Sequence, residues 1–154
     1  MLLICFSLGD ENYALPAQRI EAITAHVHCQ RIPLTPPWFS GLMMYHTRPV
    51  PVIDLCYMAH QQPAQQHLGT RIMVMSVPYQ QQTRRIGLLA EQVTHTRRSS
   101  QLQFEDLGIQ MKDSPWLGQV AYDDGSLIQM LEPEALWTDE LCQLLFDIES
   151  VEAQ

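Results

Sequence analysis

Apolar and polar positions alternate in many short segments of this chain, and turn-forming residues stand between the segments. Residues 2–8 and 12–15 are two such runs, and Gly9 lies in the turn signal between them, which predicts a β-hairpin. Further strands are predicted at residues 71–77 and 84–89, on either side of a polar turn. Many short strands separated by turn signals favour small β-barrels.

Three other segments have patterns of their own. Residues 26–32 predict another strand, which ends at Pro33. Residues 17–23 are short and amphipathic, and they predict a brief helical turn. The Gln-rich residues 61–67 predict a polar loop between the two halves of the chain.

The end of the chain has the pattern of a helix. Thr138 and Asp139 can cap its first turn, because their side-chain oxygens can accept from free backbone amides. The apolar residues that follow form one stripe at helical spacing: Leu141, Leu144, Leu145 and Ile148.

Residues 41–55 are the most informative part of the chain. They contain two apolar runs that are separated by a break at residues 46–49. Proline cannot donate to a sheet ladder, so Pro49 and Pro51 place the second run at an edge, a bulge or a strand start. Asp54 is expected to cap a helix that begins directly after it.

Composition narrows the class of protein. The chain has 154 residues, enough for one domain, and its hydrophobic fraction of 46% is that of a globular protein. The formal net charge is −8, with 17 acidic against 9 basic residues, which argues against nucleic acid as a partner. The apolar residues at the start are too few to span a membrane, and no basic flank precedes them. We therefore expect a cytoplasmic protein without direct membrane insertion.

The two halves of the chain echo each other weakly. Residues 13–20 align without gaps with residues 86–93, and leucine and alanine recur at matching places. The echo predicts a single domain, residues 1–154, made of two interleaved β-barrel subdomains at roughly residues 20–60 and 70–130. Each subdomain alone would be marginally stable, so we expect them to share an apolar seam.

Histidine and cysteine residues raise the alternative of a metal site or an enzyme. His26 and His28 lie on one face of a predicted strand, but no third ligand is near them in the sequence. No nucleophile, base and orienting group stand in a recognisable arrangement, so we expect no enzymatic activity, no metal and no cofactor. The cysteines match no zinc or redox spacing, and their apolar neighbours predict buried thiols: Cys5, Cys29, Cys56 and Cys142.

Segments along most of the chain resemble the CheW-like domain family in their order and spacing. The matching strings are FSLGDENYALPAQRIEAI at residues 6–23, GLMMYHTRPVPVIDL at 41–55, RRIGLLAEQV at 84–93 and LGQVAYDDGSLIQMLEPEALW at 117–137. The family's domain is an adaptor that joins chemoreceptors to the histidine kinase CheA in chemotaxis. The resemblance implies an all-β fold of two small SH3-like five-stranded barrels packed together, with short helical turns and a C-terminal helix.

The same resemblance implies a function and two partner surfaces. The function is that of a non-enzymatic scaffold in chemosensory signal transduction, recruited to membrane receptor arrays and acting beside a two-component kinase. A chemoreceptor coiled-coil tip is expected in an apolar groove formed by Ala17, Ile20, Ile23, Ala90 and Val93. A CheA-type histidine kinase is expected on the strand and turn that contain Leu42, Met43, Met44, Tyr45, His46 and Arg48.

One departure from the family and two alternatives stand beside this interpretation. Family members carry Arg-Gly in the turn where this chain has His46-Thr47, so the contacts of that arginine are not carried over. The first alternative is a CheW-like adaptor of a non-flagellar pathway, such as surface sensing, pilus control or biofilm control. The second is a small cytosolic enzyme or metal-binding protein that uses His26, His28 and a cysteine.

Overall fold

The computed structural model describes residues 1–105, 117–123, 125–136 and 141–146. Most of this backbone is extended. The strands are, in chain order, β1 (Leu2–Leu8), β2 (Glu11–Pro16), β3 (Ala22–Ala25), β4 (Phe39–Tyr45), β5 (Arg48–Asp54), β6 (Arg71–Tyr79), β7 (Gln82–Arg98), β8 (Gln103–Glu105), β9 (Leu117–Asp123) and β10 (Ser126–Leu131). Helical segments are short: 3-10 turns at Ala17–Arg19, Ser99–Gln101 and Pro133–Leu136, helix α1 at Leu55–His60 and helix α2 at residues 141–146.

Strand β7 belongs to both halves of the fold. Its first part pairs antiparallel with β6 and, over Gly87–Leu89, parallel with β5. Its last part pairs antiparallel with β1. The register between β1 and β7 shifts between Cys5 and Ser7, and Gln92 on β7 has a φ of 52°. This bulge changes the direction of β7, so that one strand can serve two barrels.

The strands form two SH3-like barrels. In the first barrel the strand order is β3-β6-β7-β5-β4, and two hydrogen bonds between Gln30 and Leu42, of 2.8 and 2.9 Å, connect the chain after β3 to β4. In the second barrel the order is β7-β1-β2-β10-β9-β8. The predicted all-β class with two packed barrels is therefore confirmed. The subdomain limits near residues 20–60 and 70–130 stay a prediction.

The central segment folds as its sequence indicates. β4 and β5 form a hairpin whose two turn residues, His46 and Thr47, have φ values of 51° and 65°. Positive φ at both central residues is the type I′ turn, whose twist matches that of two paired strands. Asp54 caps α1, because its carboxylate accepts a hydrogen bond of 3.2 Å from the backbone N–H of Tyr57.

The strand predicted at residues 26–32 is wrong, because the strand lies earlier, at Ala22–Ala25. Pairing explains the position. β3 runs antiparallel to β6 from Ala22 opposite Val74 to Ala25 opposite Arg71, and β6 begins at Arg71. Beyond Ala25 the chain has no β6 residue to pair with, so it leaves the sheet and returns only at the Gln30 bridge to β4.

The buried face of the last helix differs from the predicted apolar stripe. Helix α2 buries a face formed by Cys142, Leu145 and Phe146, whereas Leu144 is 40% exposed. Phe146 packs against Tyr79 with 4.9 Å between the ring centroids, which turns the helix by about one residue from the predicted face. Thr138, Asp139 and Ile148 lie outside the described residues. No helix of the described ranges is long and apolar enough to cross a membrane.

Gly41 is predicted to be essential for closing the first barrel. Its φ is 128°, and a Cβ atom at this position would lie 2.4 Å from the carbonyl oxygen of Gln30. We expect Gly41→Ala to lower the free energy of unfolding by about 2–4 kcal/mol, because backbone strain is added to loss of the closing hydrogen bonds. Urea unfolding followed by circular dichroism measures the change.

Gly125 supplies the matched control for that substitution. Its φ is also positive, at 86°, but a Cβ atom there would meet nothing within 4 Å. Gly125→Ala should therefore cost only the conformational term of about 1–2 kcal/mol. Equal losses in the two variants would contradict a specific role of Gly41 in barrel closure.

Candidate functional site

Buried apolar side chains of the described residues form three clusters, and the largest of them lies between the barrels. Alternation along β1 explains its position. Leu3 faces the interior of the second barrel, whereas Ile4 and Phe6 face the strands of the first. We name this the seam cluster; from β1, β2, β6 and β7 it contains Ile4, Phe6, Leu8, Leu15, Met73, Met75, Val77, Ile86, Leu88, Ala90 and Val93.

The five residues of the expected receptor groove have different surroundings. Ala90 and Val93 are buried members of the seam cluster, with 0% and 2% exposure, so their side chains present no surface of their own. Ala17 and Ile20 are partly buried and pack against the same cluster from its margin. Ile23 is 42% exposed and lies on β3, directly opposite Met73, a buried member of the cluster. Four of the five therefore belong to the seam cluster or pack against it, and Ile23 lies beside it across the β3–β6 pair.

A polar contact borders the margin where Ala17 and Ile20 lie. The Arg19 guanidinium forms an ion pair with the Glu134 carboxylate, which joins the turn at Ala17–Arg19 to the turn at Pro133–Leu136. Both turns follow strands of the second barrel. The margin is therefore a small apolar area with a charged border, on backbone that the seam cluster holds in place.

The expected kinase-binding residues divide between the interior and the surface. Leu42 and Met43 are buried, with 7% and 2% exposure. Met44 is 68% exposed, and the side chains of His46 and Arg48 are also exposed. Tyr45 is partly buried. Only the second half of this segment can therefore contact a partner directly.

The outer edge of β4 is open over that second half. Leu42 directs both its N–H and its C=O to Gln30, on the side away from β5. Backbone groups alternate along a strand, so those of Met44 point to the same side. No described strand pairs with β4 on that side beyond the Gln30 bridge. An exposed Met44 on an unpaired edge is a surface to which another strand can add.

The turn at His46 is stacked on its own hairpin. The His46 and Tyr45 rings lie with centroids 4.2 Å apart, and the Arg85 guanidinium lies 5.5 Å from the centroid of the Tyr45 ring. Arg85 in turn bonds Glu21 through two N–H groups, at 2.8 and 3.2 Å. These contacts connect Glu21, directly before β3, with β7 and β4 at one end of the first barrel.

Two buried carboxylates, those of Asp54 and Glu91, hold the loop between α1 and β6 against the barrels. The sequence patterns identified Asp54 but not Glu91. Glu91 accepts hydrogen bonds from the N–H of Gly9 at 3.1 Å, the N–H of Gln65 at 3.3 Å and the thiol of Cys56 at 3.3 Å. Asp54 accepts from the N–H of Ala64 at 2.9 Å in addition to its cap contact. A lone acid inside the apolar run LLAEQV was the only sequence signal for Glu91.

The chemistry of these groups favours structure over catalysis. Burial raises the pKa of the Cys56 thiol well above its ordinary value, and the hydrogen bond to Glu91 raises it further. Such a thiol stays protonated and donates to Glu91, whereas a nucleophile needs a thiolate. Burial likewise raises the pKa of the Cys29 thiol, and the positive charge of the nearby Arg31 offsets this rise only in part.

His26 and His28, the histidines of the alternative metal site, lie in the loop that follows β3, because β3 ends at Ala25. His26, His28 and Cys29 line a cavity of about 630 Å³ together with Asp54 and Ala64. Among the residues that the structure describes, no group of three or more histidine, cysteine, aspartate or glutamate side chains is arranged to hold a metal ion. The cavity lies beside the loop that Asp54 holds through the backbone N–H of Ala64.

Comparison with known proteins bears on both the family and the fold. A family model described as the CheW-like domain matches residues 2–141. The crystal structure of the scaffolding protein TtCheW from Thermoanaerobacter tengcongensis has a similar fold, with a TM-score of 0.68 and 19% sequence identity. The similarity covers 84% of this chain and 82% of that chain, and at this identity it shows the fold alone. No curated protein sequence matches the chain.

Asp54 predicts a pH dependence of stability. Burial raises the pKa of its carboxyl above the ordinary value, and the neighbouring Glu91 adds to this, although backbone hydrogen bonds oppose it. The folded protein therefore keeps this proton to a higher pH than the unfolded chain does. The Asp54 contribution to stability is full below about pH 4, the ordinary aspartate pKa, and is lost as the pH rises through the folded pKa.

Urea unfolding of the wild type and of Asp54→Asn across the pH range measures this contribution. The asparagine cannot titrate, so the unfolding free energy of the wild type should fall relative to that of the variant as the pH rises above about 4. Asp10→Asn, on an exposed turn, is the control for the loss of one carboxyl group. A wild type that gains stability relative to Asp54→Asn over this range would contradict the prediction.

Proposed function

The chain belongs to the CheW-like domain family, and on that premise we propose that it is a non-enzymatic adaptor in chemosensory signal transduction. Its partners in this proposal are the coiled-coil tip of a chemoreceptor and a CheA-type histidine kinase. Its mechanism is positional: one rigid body holds receptor and kinase in a fixed register, so that a change in the receptor alters kinase activity. No cofactor takes part.

The observation that carries the proposal is the partly exposed apolar margin of the seam cluster. Ala17 and Ile20 rest on a core in which Ala90 and Val93 are buried. An amphipathic helix binds a groove through a few apolar anchors, and such anchors need a surface that does not move. The Arg19–Glu134 ion pair at the border supplies the polar rim that commonly surrounds such a contact.

The kinase surface in this proposal is the open edge of β4. Met44 supplies an exposed apolar side chain, and its backbone N–H and C=O point outward. A strand from a partner barrel can pair there through backbone hydrogen bonds, while Met44 and Tyr45 contribute side-chain contacts. His46 in the turn and Arg48 at the start of β5 lie at the end of this edge and would contact the same partner.

The two proposed surfaces lie on different parts of the fold. The receptor margin lies where the two barrels meet, whereas the open edge of β4 belongs to the first barrel alone. One adaptor can then bind both partners at the same time. The proposal places the protein in the cytoplasm, where membrane receptor arrays recruit it.

Ile20→Asp tests the receptor surface. A carboxylate at the margin of the seam cluster would be desolvated by an apolar partner without a compensating bond, which is costly. We expect binding to a soluble receptor hairpin to weaken by at least about tenfold, while binding to the kinase is unchanged within about twofold. Isothermal titration calorimetry with each purified partner measures both.

Leu127→Asp is the matched control for that substitution. Leu127 is 57% exposed on β10, outside the seam cluster, so the same change of charge there should leave both affinities unaltered. Unchanged receptor binding by Ile20→Asp would remove the margin as a site. Equal loss of both partners would indicate misfolding, which circular dichroism would reveal.

Met44→Lys tests the kinase surface. Met44 is exposed, so the folded chain should tolerate lysine, but a charged side chain on an edge strand opposes pairing with another strand. We expect affinity for the kinase to fall by about tenfold, with receptor binding retained. Leu127→Lys is the control for the added charge. Kinase affinity that is equal in wild type and Met44→Lys would assign the kinase contact to another face.

A further inference from the structure

Strands β5 and β7 are paired over only part of their length. They pair in parallel from Val52 opposite Gly87 to Asp54 opposite Leu89, and no pairing precedes this. The starts of the two strands instead border a cleft of about 290 Å³. Its walls come from β5, β6 and β7 and include Arg48, Pro49, Ser76, Thr83 and Arg85.

The cleft is cationic, although the protein as a whole is acidic. The formal net charge of the chain is −8, yet among the described residues arginine side chains line this cleft and no acidic side chain does. Arg48 is exposed at the start of β5. Arg84 also lies in the wall, but its guanidinium is 5.7 Å from the centroid of the Phe146 ring, so the site depends on Arg48 and Arg85.

Arg85 is oriented before any ligand arrives. Its Nε and one Nη group donate to the two oxygens of Glu21, and the Tyr45 ring lies against it. A guanidinium has five N–H donors, so this contact leaves further donors on Arg85. Preorganisation of this kind lowers the entropy that an arginine loses when it binds an anion.

Backbone geometry adds donors on one wall of the cleft. Tyr79 pairs with Gln82 across a two-residue turn, so the N–H groups of Gln82 and Arg84 point to β6. Those of Thr83 and Arg85 then point to the opposite side, toward the cleft. Pro49 faces them from β5 and has no N–H group, so β5 cannot continue the ladder there.

We propose that this cleft is a binding site for a phosphate-type oxyanion. A carboxylate is planar and matches a single guanidinium fork, as Glu21 already does with Arg85. The remaining donors come from three strands and from different directions: the Arg48 and Arg85 guanidinium groups, the Ser76 and Thr83 hydroxyls and two backbone amides. A tetrahedral anion accepts from several directions at once, which suits this arrangement.

This inference goes beyond the proposed adaptor function and does not depend on it. The anion has two sources with the same chemistry: free phosphate, or a phosphorylated side chain of another protein. The purified chain alone can test the site, so a failure here leaves the adaptor proposal standing, and a failure of the adaptor proposal leaves this site standing.

A titration with inorganic phosphate at constant ionic strength, followed by amide chemical shifts, tests the site. We expect saturable shifts at Ser76, Thr83 and Arg85. Arg48→Gln should weaken binding by about tenfold or more, because a charge-assisted hydrogen bond is lost. Arg98→Gln removes the same charge from an exposed position at the other end of β7, outside the cleft, and should change the affinity by less than about twofold.

A serine peptide and its phosphorylated form distinguish the two sources. Tighter binding of the phosphopeptide than of inorganic phosphate assigns the site to a phosphorylated protein, and equal binding assigns it to free phosphate. Three results would overturn the proposal: no saturable shift at millimolar phosphate, equal weakening by Arg98→Gln and Arg48→Gln, or acetate that binds the same residues as tightly as phosphate.

Discussion

The fold depends on the change of direction of β7 between Ala90 and Val93. At this bulge Gln92 has a positive φ of 52°, and the N–H of Val93 bonds the carbonyl of Gly69 instead of a neighbouring strand. Glu91, directly before the bulge, accepts hydrogen bonds from the β1–β2 turn, from α1 and from the loop that precedes β6. A buried carboxylate without hydrogen-bond partners is costly. The position of Glu91 on β7 therefore fixes the positions of the three segments that donate to it. The relative position of the barrels follows from that one junction.

Burial of apolar side chains supports the same conclusion. The interior clusters of the two barrels are small, and the seam cluster is larger than either in the described residues. Small barrels bury too little surface to be stable alone, so most of the hydrophobic stabilisation arises where the barrels meet. The two barrels should then unfold as one unit. A positional adaptor, as proposed above, requires this rigidity, because a hinge between the barrels would absorb the displacement that it has to transmit.

The sequence predicted those features that depend on neighbouring residues. The β1–β2 hairpin, the strands around residues 41–55 and the Asp54 cap follow from local turn chemistry and alternation, and each is present. The errors involve distant partners. Residues 26–32 have strand composition, but β6 begins at Arg71 and offers them no partner, and the buried face of α2 is set by its contact with Tyr79. The family resemblance placed Ala90 and Val93 in the receptor groove, but it could not show that the seam cluster buries both side chains. The contacts of Glu91 span 82 residues to Gly9 and could not be read from any local pattern.

Two irregularities at one end of the first barrel have a common physical origin. The turns at residues 46–47 and 80–81 both contain non-glycine residues with positive φ, a conformation that costs about 1 kcal/mol or more for each residue. β5 and β7 leave these turns in parallel, so both turns lie at the same end, beside the open edge of β4 and the cleft at Arg48. Proline at residue 49 prevents β5 from closing that cleft, and the closing bridge at Gln30 ends before Met44. Strained turns, unpaired backbone groups and arginine side chains therefore lie together at this end of the first barrel. The other face of β6 and β7 packs into the seam cluster. A barrel with one face fixed in this way can keep an unpaired edge available without losing its fold.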